Sequence, residues 1–345
     1  MKFIAFYNIN EELNKDNLMF ESPNAPIGDE LLRPMIELKK YARSLGIEVA
    51  TIEACDTAKA DAFVFMDMPS NHNKYLQLAI DSHKPMYLIL FECEVVKKDN
   101  YDTNNHRHFS AVFTHNDQLV DNKKYFKINF SFRFPPDIQK DISSKIKLCA
   151  LIAGNKKSSH PLELYSKRIE AIRWFEKNHP EEFDLYGVGW DGYKFISRKW
   201  GRKLNSLKIP LMLPLRYSSY RGRINKKRPV LEQYKFSICY ENARDIPGYI
   251  TEKIFDCFFA GCVPVYWGAS NVAGHIPPEC FIDRRMFKSY EMLYDYMTGM
   301  SDKRYSQYLN SIESFLKSDK SRQFSTDHFS ETLVRVILNG SCRRD

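Results

Sequence analysis

Short apolar runs alternate with stretches in which apolar residues return every third or fourth position, a rhythm that predicts strands and helices in turn. Lys2 to Tyr7 reads as a first strand. From Ile27 to Leu45 the residues Leu31, Leu32, Met35, Ile36, Leu38, Tyr41 and Ala42 fall at helical spacing until Gly46 stops them. Ile47–Ile52 and Ala62–Met66 return as strands, Tyr75–Ser82 as a helix, and Pro85–Phe91 as a strand followed at once by Glu92. Phe109–Thr114 and Lys124–Phe132 are further short strands, and Pro135, Pro136 and the charged residues after them read as a linker. A second set starts at Lys147–Ala153 and continues through a helix over about Pro161–Lys177 and a strand at Phe183–Tyr186. A short strand at Cys280–Ile282 and helices at Ser289–Met297, Tyr305–Lys317 and Thr326–Leu338 close the chain. Alternation of this kind implies parallel sheets covered by helices.

The stretch Tyr234–Gly268 is the most informative. Phe236–Tyr240 and Val263–Trp267 lack strict alternation, as strands buried on both faces do. Between them, Thr251 is placed to cap a helix whose stripe is Ile254, Phe255, Phe258 and Phe259, with Gly261 to end it. That is a βαβ unit whose polar loop lies where α/β sheets bind ligands.

A chain of 345 residues, 43% of them hydrophobic, can bury two cores. The eight cysteines are scattered through apolar runs with no CxxC pair or histidine at zinc spacing, and read as reduced core thiols. No apolar run is long enough to span a bilayer and no leader is apparent, so a cytoplasmic protein is expected. The net charge of +8 is concentrated in Arg198–Arg228, which holds 11 Lys and Arg and no Asp or Glu. Such a block suits a diphosphate, an anionic membrane surface or nucleic acid, and equally a solvated loop. No nucleic-acid motif accompanies it.

The loop of the central unit gathers Glu241, Asn242, Tyr249, Thr251, Glu252 and Lys253. A helix N-terminus and a lysine favour an anion, while a glutamate can accept from sugar hydroxyls; an ordinary capped helix with an exposed Glu–Lys pair fits the same spacing. The run YKFSICYEN at Tyr234–Asn242, GYITEK at Gly248–Lys253 and VPVYWG at Val263–Gly268, continued by PECFIDRRMF at Pro278–Phe287, resembles the donor-binding signature of the α-1,3/4-fucosyltransferase family.

That resemblance implies an α/β chain of GT-B type, two Rossmann-like domains facing a cleft, with C-terminal helices. The expected division is an acceptor domain at 1–140, a donor domain at 141–325, and a C-terminal helix with a basic tail at 326–345. It implies an inverting transfer of L-fucose from GDP-β-L-fucose to a GlcNAc- or Gal-containing glycan, an oligosaccharide or lipopolysaccharide, with no cofactor and no required metal. Another GDP-6-deoxyhexose donor, or a basic-patch binding protein without enzymatic activity, remains the alternative. Carried over by position, Tyr249, Glu252 and Lys253 are the donor contacts, with Glu241, Asn242 and Thr251 beside them. Arg168, early in the first helix of the donor half, is a pyrophosphate ligand. A peripheral contact of Arg198–Arg228 with the inner face of the membrane is compatible with this reading.

An inverting transfer needs a base on the other domain. Glu92, directly after the MYLILF strand, is the first choice. Glu94 is the second, pointing to the same side if the strand runs on, and Glu21 in FESP is a third and earlier candidate. Of the histidines, His106, His108, His115 and His160 read mainly as surface residues, and Trp190, Tyr193 and Trp200 as sugar-stacking candidates.

Overall fold

The computed structural model describes residues 2–22, 30–191 and 217–341. The first domain is built on strands β1 (Lys2–Asn8), β2 (Ile47–Thr51), β3 (Ala62–Met66), β4 (Met86–Leu90), β5 (Ala111–Thr114) and β6 (Tyr125–Lys127). They form one parallel sheet in the order β2-β1-β3-β4-β5-β6. The runs AFVFM and MYLIL of β3 and β4 are buried at every position, because helices α1 (Arg33–Ser44) and α2 (Lys74–Asp81) and other elements cover both faces.

The second sheet holds β7 (Lys147–Ile152), β8 (Phe183–Tyr186), β9 (Tyr220–Gly222), β10 (Tyr234–Tyr240), β11 (Val263–Trp267) and β12 (Ile282–Asp283), in the order β12-β11-β10-β7-β8-β9 and again all parallel. Strand order therefore reverses between β7 and β10, the place where an open α/β sheet splits to admit a ligand. The domain also contains helices α3 (Tyr165–Asn178), α4 (Glu252–Phe259), α5 (Tyr290–Thr298) and α6 (Asp302–Leu316). Two Rossmann-like sheets with their helices make this a GT-B fold.

Several expected boundaries shift. The helix expected from Pro161 starts at Tyr165, and the one expected from Ile27 runs from Arg33, with residues 23–29 outside the described set. Cys280 ends a 3₁₀ turn instead of opening a strand. The last helix, α7 (Thr326–Ser341), does not stand apart. It returns to the first domain, where Phe329, Leu333, Val334 and Ile337 share a core with Met35 and Leu38, and the Tyr87 hydroxyl donates to the Ile337 carbonyl at 3.0 Å.

The two crossings between domains run side by side. The Phe132 amide donates to the Phe324 carbonyl at 2.8 Å and the Thr326 amide to the Phe132 carbonyl at 3.2 Å. Phe132 stacks on Phe255 of α4 at 4.6 Å, which ties the crossing to the βαβ unit. The seven described cysteines are free thiols; Cys55 is half-buried and the other six are buried.

Candidate active site

The carboxyl ends of β4 and β5 meet the loop between β10 and α4. His115, just after β5, packs its ring 4.9 Å from that of Tyr249, and Phe130 lies 6.2 Å from both. Cys93, Ala243, Ile246 and Tyr249 form a small apolar cluster across the same junction. Beside it Asp117 accepts from His275 Nε2 at 2.8 Å and from Asn271 Nδ2 at 2.7 Å, and pairs with Lys127 at 2.6 Å. Burial opposes the Asp117 charge, but the bonds from His275, Lys127 and Asn271 outweigh it and hold the carboxyl below its ordinary range.

Glu241 lies at the start of the loop between β10 and α4. It is fully enclosed, and its carboxylate accepts from the Thr251 amide at 2.8 Å, the Thr251 hydroxyl at 2.7 Å and Lys253 Nζ at 3.1 Å. Glu241, which the resemblance sets beside the donor contacts, meets Thr251 and Lys253 and reaches the crevice through them. Thr251 occupies the cap position of α4, but its hydroxyl is spent on Glu241 and does not cap the helix. Burial would strip Lys253 of its proton; the charges of Glu241 and Glu252 reverse that and raise it above the ordinary lysine range. Glu252 is pushed up by burial and then pulled down to about 2 by Lys253 and Lys227, so this pair stays ionised.

Arg168 sits in the first turns of α3 and is buried, its NH2 group donating to the Tyr240 carbonyl at 2.7 Å and to Asn242 Oδ1 at 3.1 Å. Asn242 in turn donates to the Tyr249 hydroxyl at 3.3 Å. Arg168, Lys227, Lys253 and Asp256 line one cavity of roughly 20 Å³, room for about one water. Of the three cations, Lys227 is paired with Asp256 and Lys253 with Glu241 and Glu252, while the acceptors that Arg168 meets, the Tyr240 carbonyl and Asn242, are neutral.

On the facing domain, Glu92 is held by its backbone. Its amide donates to Asp67 Oδ1 at 3.0 Å, and its carbonyl accepts from Asn100 Nδ2 at 2.9 Å. No hydrogen bond from a described residue occupies its carboxylate. Burial and then the nearby Asp67 charge push the Glu92 carboxyl up to about 6, against the opposing pull of Lys156 and Lys253 from the second domain. Glu94 does not share this position. β4 ends at Leu90 and the chain turns over residues 94–96, so the alternation that would have aligned the two glutamates is lost; Glu94 instead lies 3.9 Å from His160. Glu21 pairs with Lys39 on the outer surface.

Other expectations change. His106 and His115 are buried, not on the surface: His106 Nε2 lies 3.1 Å from the Asn100 carbonyl, and His115 bonds Tyr101 and the Leu90 carbonyl. Trp190 is a core residue whose indole donates to the Ala153 carbonyl at 2.6 Å and whose ring meets Tyr217, so it offers no stacking face; Tyr193 and Trp200 lie outside the described residues. Of the basic block, residues 198–216 are likewise outside. Within the rest, Arg221 pairs with Asp184, Arg223 with Asp191, Lys227 with Asp256 and Arg228 with Glu232. Asp67, Asn100, Asp117, Asn271 and His275 were not singled out from the sequence. Asp67 had a usable signal, a polar residue directly after the buried run AFVFM, the same position that marked Glu92.

No described helix is long and apolar enough to cross a membrane, and among the described residues no group of three His, Cys, Asp or Glu is arranged to hold a metal ion.

Residues 201–334 match the family model of glycosyltransferase family 10 (fucosyltransferase), C-terminal part. The chain is 39% identical over 74 residues to an α-(1,3)-fucosyltransferase of Helicobacter pylori, and 39% identical over 80 residues to an α-(1,4)-fucosyltransferase of Arabidopsis thaliana. These stretches are 21% and 23% of this chain but span only 15% and 20% of those relatives. A crystal structure of an α1,3-fucosyltransferase with GDP-fucose superposes with a TM-score of 0.56 at 15% identity, over 100% of this chain and 91% of that one. An α-glucosyltransferase in complex with UDP and a 13-mer DNA gives 0.52 at 9% identity, over 98% and 100%, a likeness of fold alone. The sequence likeness is carried by residues 201–334 with the β10–α4 loop, and over that stretch the chain is similar to the fucosyltransferases of glycosyltransferase family 10.

Proposed function

We propose that the protein transfers L-fucose from GDP-β-L-fucose to a hydroxyl of a GlcNAc- or Gal-containing glycan, forming an α-1,3 or α-1,4 fucoside with inversion. The observation that carries the reading is the place of Glu92, a carboxyl at the end of β4 with its backbone fixed by Asp67 and Asn100, within electrostatic reach of Lys253 and Glu252 in the stretch that matches the family model. Glu92 takes the proton of the attacking hydroxyl, which then displaces GDP in line at the anomeric carbon. Lys253 and Arg168 stabilise the diphosphate as it leaves, and their charge lets the reading dispense with a required metal. Glu252, ionised and close to Lys253, accepts hydroxyls of the donor. Asn242 and Tyr249 hold the loop and Arg168 in register. A peripheral contact of Arg198–Arg228 with an anionic membrane would bring the cleft to a lipid-linked acceptor.

The test is an array of GDP-fucose and GDP-mannose against N-acetyllactosamine and simple galactosides, with one arm in chelator. Fucose transfer to the GlcNAc- or Gal-bearing acceptors, undiminished by chelator, is expected. Transfer of another GDP-sugar in place of fucose would replace the donor assignment, and failure to bind GDP in a calorimetric titration would overturn the enzyme reading.

A further inference from the structure

The base does not stand alone at the end of β4. Asp67, the residue after β3, is buried with its backbone in the left-handed region at φ +60°. One oxygen of its carboxylate, Oδ1, accepts from the Phe91 amide at 2.8 Å, the Glu92 amide at 3.0 Å and Asn100 Nδ2 at 2.7 Å. Asn100 is itself fully buried; besides its bond to Asp67, its Nδ2 donates to the Glu92 carbonyl, and its Oδ1 accepts from the Met68 amide at 2.8 Å. Asp67 and Asn100 thus clasp both backbone polar groups of Glu92. Burial raises the Asp67 carboxyl, while the three donors and Lys97 favour its ionised form.

We propose that Asp67 is a positioning residue for this transfer: its Oδ1 fixes the Glu92 backbone at the mouth of the cleft, and its negative charge beside Glu92 keeps that carboxylate basic. The proposal rests on the reading of Glu92 as the base. A carboxylate left at the ordinary glutamate value is a weak base toward a sugar hydroxyl, and raising it toward the working pH improves proton transfer. The other groups facing Glu92 are Cys93 and Tyr101 from its own domain, and Lys156, Tyr165, Tyr249, Glu252 and Lys253 from the second. Lys156 and Lys253 act against the elevation, and Glu252 adds to it more weakly than Asp67.

Asp67→Asn separates charge from geometry. Asparagine tolerates the left-handed backbone, and its Oδ1 can keep all three bonds, while the charge is removed. Asn100→Ala does the converse, freeing the Glu92 carbonyl and removing one of the three bonds to Asp67 Oδ1 while the Asp67 charge stays. The readout is the pH profile of kcat/KM over about pH 5 to 8, with GDP binding as the measure of an intact donor domain. For Asp67→Asn the acid limb is expected to move to lower pH, with GDP affinity unchanged. For Asn100→Ala the plateau is expected to fall about tenfold or more with the limb in place. An Asp67→Asn limb that superimposes on the wild type, an Asn100→Ala limb that moves, or an unchanged Asn100→Ala plateau would overturn the proposal. Glu92→Gln, run alongside, keeps the two readings apart: retained turnover there removes Glu92 as the base and the Asp67 role with it, whereas an inactive Glu92→Gln with an unmoved Asp67→Asn limb removes only the role of Asp67.

Discussion

Lys253 Nζ lies 3.1 Å from Glu241 Oε2, the carboxylate that also takes the amide and hydroxyl of Thr251. The one cation of GYITEK is thus held by a glutamate that is fully buried. Glu241→Gln keeps an acceptor for Thr251 and leaves Lys253 without its buried partner. Breaking such a pair costs about 3 to 5 kcal/mol. Saturating GDP, a polyanion at neutral pH, should recover part of that loss. Thermal melts with and without GDP should therefore show a larger ligand-induced rise in Tm for the variant than for the wild type; equal rises would mean that Lys253 does not meet the diphosphate.

Glu92→Gln should lower kcat by about 100 to 10,000-fold, the range of a lost general base, and leave GDP affinity unchanged in calorimetry. The wild-type profile should follow the same group. With the Glu92 carboxyl near 6, kcat/KM rises with pH as the base loses its proton and levels off above that value. A profile flat between pH 5 and 7, roughly the span in which Glu92 titrates, would remove it from the reaction.

Gly248 sits at φ +79° against the first domain, where an added Cβ would fall 2.2 Å from the His115 carbonyl oxygen and 2.6 Å from Lys127 Nζ. Left-handed backbone alone costs an alanine about 1 to 2 kcal/mol, and here a backbone oxygen blocks relief. Gly248→Ala should lower Tm and reduce turnover more than it reduces GDP affinity, because the seating of the two domains is disturbed while the donor crevice is spared. A variant with wild-type turnover would show that the domains need not meet at this loop.

His115 is buried as the neutral imidazole, burial pushing it down to about 3 from an ordinary 6.5. In the unfolded chain it takes up a proton at its ordinary value, so below pH 6.5 the unfolded state binds more protons and stability falls as pH drops toward 3. His115→Gln should flatten that slope in urea titrations across the window, whatever it does to stability at pH 7, roughly the neutral reference. The depressed Asp117 carboxyl acts separately, losing stability only below its ordinary 3.8. An unchanged slope in the variant would mean that another group carries the dependence.

Much of this molecule was legible without coordinates because its strands are local events. Runs such as AFVFM, MYLIL and FSICY are too apolar for any surface, and polar text immediately after them marks the carboxyl ends at which such sheets bind ligands. Glu92 and the β10–α4 loop are picked out that way, and the likeness of GYITEK to a known family points to a nucleotide. Pairings made across long stretches of chain had no such mark. Nothing near Glu241 says that its charge turns inward to Lys253, that Asp67 and Asn100 clasp Glu92 from 25 and 8 residues away, or that Asp117 and His275 meet across 158. Nor could periodicity tell that α7 returns to the first sheet, since an amphipathic helix specifies that it needs an apolar partner and not which one. Spacing along the chain reports what each residue can do; which buried charge faces which depends on the docking of two separate sheets, and that is a property of the folded whole.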